Sequence, residues 1–315
     1  MTELLFAPME GITLAGYRAV HHRMFPGAAE YYTPFIAPDS RGSFRPKFLR
    51  DLTSDRDALT VIPQLLVNSA GAFCATADKL CELGFREINL NIGCPSGTVF
   101  SKHKGGGMLR DLSALDETLE EIYSHAGRRG YRVSIKTRMG IHSTEEFPAI
   151  LERYRKYPVS RLIVHARCRD DYYRGEPDRA GFAASVKDCP FPVVYNGDIR
   201  SAEDLKWLAS EAPQVGSVMI GRAAAANPAL FRFLRTGEQL RPEELRAFHD
   251  ELTETWLEEG LSPLFTVERM KTLWSFMQEL FPDAGREVRA VLKAKSMTDY
   301  RIAVDGLFRS GGFRP

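Results

Sequence analysis

RVSIKTRMGIHSTEEFPAILERYRKYPVSRLIVHARC, residues 132–168, contains the repeating unit of the chain. Two short runs rich in Val, Ile and Leu, RVSIKTRM (132–139) and RLIVHARC (161–168), flank a stretch of helical period, STEEFPAILERYRKY (143–157). Apolar runs of this kind suit strands buried on both faces, as in a parallel sheet. Ser143 ahead of the acids Glu145 and Glu146 is a helix-start signal. The stretch therefore reads as strand, helix, strand.

Working outward, the unit recurs. ELLFAPM (3–9), EYYTPFI (30–36), LTVIPQLLV (59–67) and EINLNIG (87–93) precede it; PVVYNGD (192–198) and SVMIGRA (217–223) follow. Helical stretches at 70–84, 113–127 and 201–212 separate most of these runs, and the last two also open with Ser before early acids. The second connection, through FRPKFLRDL (44–52), has the faintest helical pattern. Eight strands alternating with helices over about 235 residues predict an α/β fold, a (β/α)8 TIM barrel. After LFRFLRTGEQ (230–239) the strand pattern stops, and 241–260, 267–281 and 285–296 read as helices only. A boundary near Glu238 divides the expected organisation into a barrel, 1–238, and a smaller all-helical domain, 239–315.

Composition narrows the class. Of 315 residues, 44% are hydrophobic and 26% charged, the balance of a soluble globular protein. With no apolar run of about 18 residues, no membrane span is expected. The start, MTELLFAPMEG, lacks the basic and apolar regions of a secretory signal, and the five cysteines form no CxxC pair. The expectation is a cytoplasmic protein with reduced thiols and no metal site. A net charge of +1 leaves any nucleic-acid contact to a local patch.

A barrel gathers its chemistry at the C-terminal ends of its strands. Here that face collects Pro8 and Met9, Gln64, Asn91 and Cys94, Lys136 and Arg138, His165 and Arg167, then Asn196, Gly197, Asp198, Gly221 and Arg222. Polar groups inside apolar strands are costly unless partnered, so their recurrence at one end favours a site. YNGD and IGRA suit a phosphate site after strands seven and eight, with Gly197 and Gly221 allowing close backbone approach and Arg222 adding charge, a reading favoured over two glycine turns with a solvated arginine because both loops show it in register. Lys136 and Arg138 alternate with apolar neighbours and point one way; they need an anionic or electron-rich partner, or a carboxylate elsewhere. Gln64 and His165 taken singly read more naturally as satisfied core groups, and Cys74, Cys81, Cys168 and Cys189 as packing residues. NLNIGCPSGTVFSKHKGGGML (89–109) leaves two readings for Cys94: a small thiol packed at a turn, or a thiol held out for chemistry.

APMEGIT, the Gln of PQLL, NLNIGCP followed by a glycine run and ML, IKTR, VHAR, YNGD and MIGRA stand in the order found in the tRNA-dihydrouridine synthases, and the chain resembles that family across the whole barrel. The resemblance implies a flavin enzyme that reduces uridine in tRNA, with noncovalent FMN across the barrel mouth and NADPH as electron donor. It implies that Pro8, Met9 and Glu10 line the flavin, that Gln64 hydrogen-bonds its ring and that Lys136 lies near the pyrimidine edge. His165, Asn196, Gly197, Asp198, Gly221 and Arg222 would serve the ribityl-phosphate end; Asn91, Arg138 and Arg167 belong to the substrate side. Cys94 becomes the proton donor to C5, since a thiol of ordinary pKa, about 8.5, is protonated near neutrality. The glycine run is expected to be mobile and to close over RNA, with Lys102, His103 and Lys104 meeting phosphates. The sequence departs from the family pattern at Ser96–Gly97–Thr98, where a basic residue often stands, and at Ala166, usually glycine.

The helical tail resembles the family's RNA-binding domain, and Arg286, Arg289 and Lys293 share one helix face there, with Lys295 and Arg301 beyond. Two other functions fit parts of the pattern: a small-molecule pyrimidine or ene reductase, which the basic helical tail disfavours, and an RNA binder without catalysis, which Cys94 and Lys136 disfavour. Nothing in the sequence demands more than a monomer.

Overall fold

The computed structural model describes residues 2–53 and 58–315. Among the described residues, nine strands form one all-parallel sheet: β1 (Glu3–Phe6), β2 (Glu30–Tyr32), β3 (Val61–Ile62), β4 (Gln64–Leu65), β5 (Glu87–Ile92), β6 (Arg132–Gly140), β7 (Leu162–Cys168), β8 (Val193–Asn196) and β9 (Ser217–Ile220). Their order is β3-β2-β1-β9-β8-β7-β6-β5-β4. The two ends of that order, β3 and β4, are halves of one segment parted at Pro63, which has no N–H to give a ladder. The Pro63 carbonyl still accepts from the Asn89 N–H (2.9 Å), and Thr33 N–H reaches the Ile62 carbonyl (3.0 Å). The sheet thus closes into the expected eight-stave barrel, its third stave broken by proline.

Helices cover the outside: α1 (Ala15–Met24), α2 (Pro46–Thr53), α3 (Ala70–Glu82), α4 (Gly97–Phe100), α5 (Leu112–Arg129), α6 (Phe147–Tyr154), α7 (Arg179–Ser185), α8 (Ala202–Glu211), α9 (Arg222–Ala226) and α10 (Leu230–Thr236). The second connection does carry a helix, α2. Two of the three expected serine caps form: Ser143 and Ser201 each make a reciprocal capping box with an acid three residues on, whereas α5 is capped by Asp111, whose carboxylate accepts from the Ser113 and Ala114 N–H groups and leaves Ser113 inside the helix. Leu5, Ala7, Tyr32, Ile62, Ile163, Val194 and Met219 fill the barrel interior, so it is a packed core and not a pore.

Beyond the αL glycine cap at Gly237, α11 (Pro242–Glu258), α12 (Pro263–Met277), α13 (Gly285–Lys293) and α14 (Met297–Arg309) follow. Trp256 and Trp274 are fully buried. Phe248 of α11 meets Tyr17 of α1 edge-on (5.7 Å) and Phe25 (5.6 Å), so the tail shares one hydrophobic core with the barrel. Among the described residues, no helix is long and apolar enough to cross a membrane, and no cluster of three or more His, Cys, Asp or Glu could hold a metal.

Candidate active site

Register brings the polar positions together. Asn91 pairs with Lys136, Arg138 with His165, and His165 with Asn196 across neighbouring strands, so one end of the barrel carries a continuous polar course. It floors a cavity of about 870 Å³, lined by Pro8, Met9, Glu10, Gln64, Asn91, Cys94, Lys136, Arg138, His165, Asn196, Gly197, Asp198, Gly221 and Arg222 among others.

An amide chain runs along the floor. Gln64 Nε2 donates to Asn89 Oδ1 (2.8 Å), Asn91 Nδ2 to Gln64 Oε1 (2.8 Å), and Asn89 Nδ2 to Ser134 Oγ (2.9 Å). Asn91 Oδ1 then accepts from the N–H groups of both Gly93 and Cys94 (3.0 Å each). Asn91 therefore anchors the backbone that carries the thiol, while its own edge still faces the cavity. The Cys94 side chain is half-buried; burial pushes its thiol up, against a backbone N–H of Ser96 that favours the thiolate.

The glycine run is folded against the cysteine turn in this structure. Residues 105–110 form a 3-10 turn in which Gly105, Gly106 and Gly107 are buried. Gly106 N–H reaches the Cys94 carbonyl (3.1 Å). A Cβ at Gly105 (φ +54) would lie 2.8 Å from Cys94 Cβ, and one at Gly107 2.6 Å from the Phe100 carbonyl oxygen. The glycines permit close backbone packing behind the cysteine. Lys102 and His103 are exposed and Lys104 half-buried on the outer side of this turn.

The cations differ in accessibility. Lys136 Nζ donates to Asn196 Oδ1 (2.8 Å), whose Nδ2 donates to the Met219 carbonyl (2.8 Å). Burial, and then Arg138 nearby, bring the Lys136 pKa down to about 7. Arg138 spends its donors on three carbonyls, Gly93 (2.9 Å), Cys168 (2.8 Å) and Tyr172 (2.6 Å), so it ties the cysteine turn to the loop after β7. Arg167 does not line the cavity, contrary to the substrate role expected of it: it is 1% exposed and lies beneath the site. It donates to His165 Nε2 (3.1 Å), the Gly175 carbonyl (2.6 Å) and Asp198 Oδ2 (2.5 Å), because it is the group that neutralises Asp198 from below. Burial and the surrounding cations hold His165 well below its usual pKa, so it is a neutral acceptor toward Arg167. Burial opposes ionisation of Asp198, but Arg167 and Arg222 hold its carboxyl below the ordinary value. Arg222 donates to Asp198 Oδ1 (2.5 Å) from the first residue of α9, where the leading N–H groups have no intrahelical acceptor.

Three non-glycine residues among those described have positive φ: His103 (+54), Tyr172 (+53) and Asp198 (+40). All follow strands at this same end, where backbone strain is commonly stored at sites.

The family model described as dihydrouridine synthase (Dus) matches residues 5–294. The chain belongs to the dihydrouridine synthase family. Among curated relatives it is 29% identical over 310 residues to tRNA-dihydrouridine synthase B of Pseudomonas aeruginosa, covering 95% of this chain and 90% of that protein. It is 30% identical over 249 residues to the protein of the same name from Pseudomonas putida, covering 77% and 72%. Among solved structures, the old yellow enzyme homologue of Zymomonas mobilis superposes with a TM-score of 0.52 at 12% identity, covering 76% of this chain and 89% of that one, a likeness of fold alone.

For this member of the dihydrouridine synthase family, sequence reasoning missed a second set of cavity residues. Tyr172 and Tyr173 enter from the loop after β7, and Thr272, Ser275 and Phe276 from α12 of the tail. The paired tyrosines after HARC were a visible signal; the α12 residues follow an ordinary helical period and carried none. Arg286, Arg289 and Lys293 are exposed on α13 and do not line this cavity.

Proposed function

We propose that the protein reduces the C5–C6 double bond of particular uridines in tRNA to dihydrouridine, using noncovalent FMN and NADPH. The observation that carries this reading is a half-buried thiol, Cys94, sharing one cavity with Lys136, a half-buried amine whose hydrogen-bond partner is the neutral amide of Asn196.

A flavin fits what is present. The cavity is within the usual size of cofactor sites, about 300–1,000 Å³. Lys136 and the neighbouring Arg138 leave cationic charge at the floor, and an electron-rich ring edge would balance it. Arg222 and the unsatisfied N–H groups opening α9 suit a phosphate. Gln64, Lys136 and Asn196 would hold the ring side, and Gly197, Asp198, Gly221 and Arg222 the phosphate side, with Pro8, Met9 and Glu10 along the edge. Held there, a flavin would supply hydride transfer between NADPH and C6 of the base.

The chain's own residues supply the rest. Asn91 fixes the Cys94 backbone, and the packed glycine turn stops the thiol from retreating. The Cys94 S–H gives its proton to C5, so hydride and proton together saturate one double bond. The raised pKa keeps the thiol protonated at neutral pH, and the thiolate left behind is reprotonated from solvent. Extrusion of the uridine from the RNA fold is required for the base to reach the cavity floor. The exposed cations of α13, Arg286, Arg289 and Lys293, would meet phosphates, as would Lys102 and Lys104.

The test is direct. Chromatography of flavin released from the purified protein should identify FMN, and nucleoside mass analysis should find dihydrouridine in tRNA treated with protein and NADPH. Recovery of FAD, or reduction of free pyrimidines but not tRNA, would overturn the proposal.

A further inference from the structure

Beside the cavity, and reaching it at Tyr172, aromatic and guanidinium groups alternate in series. Arg110 Cζ stands 5.3 Å from the Phe100 ring centroid, Arg169 Cζ 4.2 Å from the same ring, and Arg169 Cζ again 5.3 Å from the ring of Tyr172. The series joins two separate loops, since Phe100 ends the short helix after Cys94 and Tyr172 follows β7. Arg169 is mostly covered, shares its charge with Asp170 (2.7 Å) and donates to the Tyr172 hydroxyl (3.3 Å). Its stem also lies against Gly106, the residue that holds the Cys94 carbonyl. Tyr172 is the terminal member and remains 38% exposed while lining the cavity.

Two features indicate that the tyrosine is placed rather than left over. Its φ of +53 is strained for a bulky side chain. Its carbonyl is held by Arg138 (2.6 Å), the residue that also holds the Gly93 carbonyl next to Cys94 (2.9 Å). The position of the ring is therefore locked to the position of the thiol.

We propose that Phe100, Arg169 and Tyr172 form a stacking column whose open tyrosine face takes the base of a nucleotide adjoining the uridine held at Cys94. This rests on the function proposed above and adds a subsite to it. A base on the free face of Tyr172 continues the alternation, with Arg169 polarising the ring from behind. Unstacked flanking bases need such a platform once their neighbour is drawn out of the RNA. The subsite is tolerant of base identity, because every base has a π face, and it contributes to tRNA affinity rather than to the chemical step.

The experiment uses the flavin-loaded full chain and a tRNA transcript whose reduced uridine has been located with the unaltered protein. Tyr172→Ala should raise KM for tRNA by on the order of tenfold. Flavin occupancy and kcat at saturating tRNA should change little, and Tyr172→Phe should restore KM. Transcripts abasic at one or other neighbour of the target uridine provide the decisive arm. At the stacked neighbour, abasic substitution should weaken the unaltered protein and remove the difference between it and Tyr172→Ala. Absence of dihydrouridine with the unaltered protein would refute the proposed function. Wild-type KM in Tyr172→Ala, failure of Tyr172→Phe to rescue, or a penalty that persists with both abasic transcripts would overturn the column alone.

Discussion

Cys94 and Lys136 sit in one cavity and respond to pH in different ways. The Cys94 thiol is raised by burial, so its acid form persists through neutrality and the reductive step should slow only as pH climbs past the ordinary thiol range. Cys94→Ala should retain flavin but reoxidise with tRNA at least on the order of a hundredfold more slowly, as loss of a general acid predicts. Anaerobic stopped-flow on the loaded variant measures this; wild-type reoxidation would return Cys94 to a packing role. Lys136 has its pKa lowered to about 7 from an ordinary 10.5, so the unfolded chain holds a proton that the native amine has lost above pH 7. Stability of the flavin-free protein should therefore rise with pH from about 7 towards 10.5 through this group. In Lys136→Met that rise should vanish, which thermal melts across the range would show. In the loaded form Lys136→Met should also lower the flavin reduction potential.

The turn behind Cys94 and the α13 face show how elements serve the site. Alanine at Gly105 would face a positive φ and a 2.8 Å approach to Cys94 Cβ at once. Overpacking and strain of this kind cost about 1–3 kcal/mol each. Gly105→Ala should lower Tm and change alkylation of the thiol, whereas Gly97→Ala, with open space around it, should do neither. On α13, Arg286, Arg289 and Lys293 are exposed together. Their joint replacement by alanine should weaken tRNA binding and flatten its salt dependence, leaving flavin reduction by NADPH unchanged. An unaltered salt slope would make that face merely solvated.

At the scale of the molecule, the tail is part of the barrel's core. Phe248 packs on Tyr17 and Phe25, and α12 sends Thr272, Ser275 and Phe276 into the cavity wall. A chain cut after residue 238 should consequently expose apolar surface on α1 and bind flavin weakly or aggregate, measured by light scattering and flavin retention. A stable, yellow, truncated barrel would show that the helices are a separable domain.

Much of this was legible in one dimension. The period of the apolar runs, the serine caps and the polar residue at the end of strand after strand announce a barrel with a site at one mouth, because side-chain alternation and strand ends are local properties of sequence. The proposed roles of Cys94, Lys136 and the loops at Gly197 and Gly221 also start from sequence order. Tertiary structure alone decided the rest. Whether the glycine run is loose or packed depends on Cys94 and Phe100 lying against it. Whether Arg167 meets the cavity or lies under it depends on Asp198, 31 residues away. Whether α12 lines the site depends on how the tail folds back on α1 and α9. Each is a contact between segments distant along the chain, fixed by the packing of a shared core, and no local pattern encodes it.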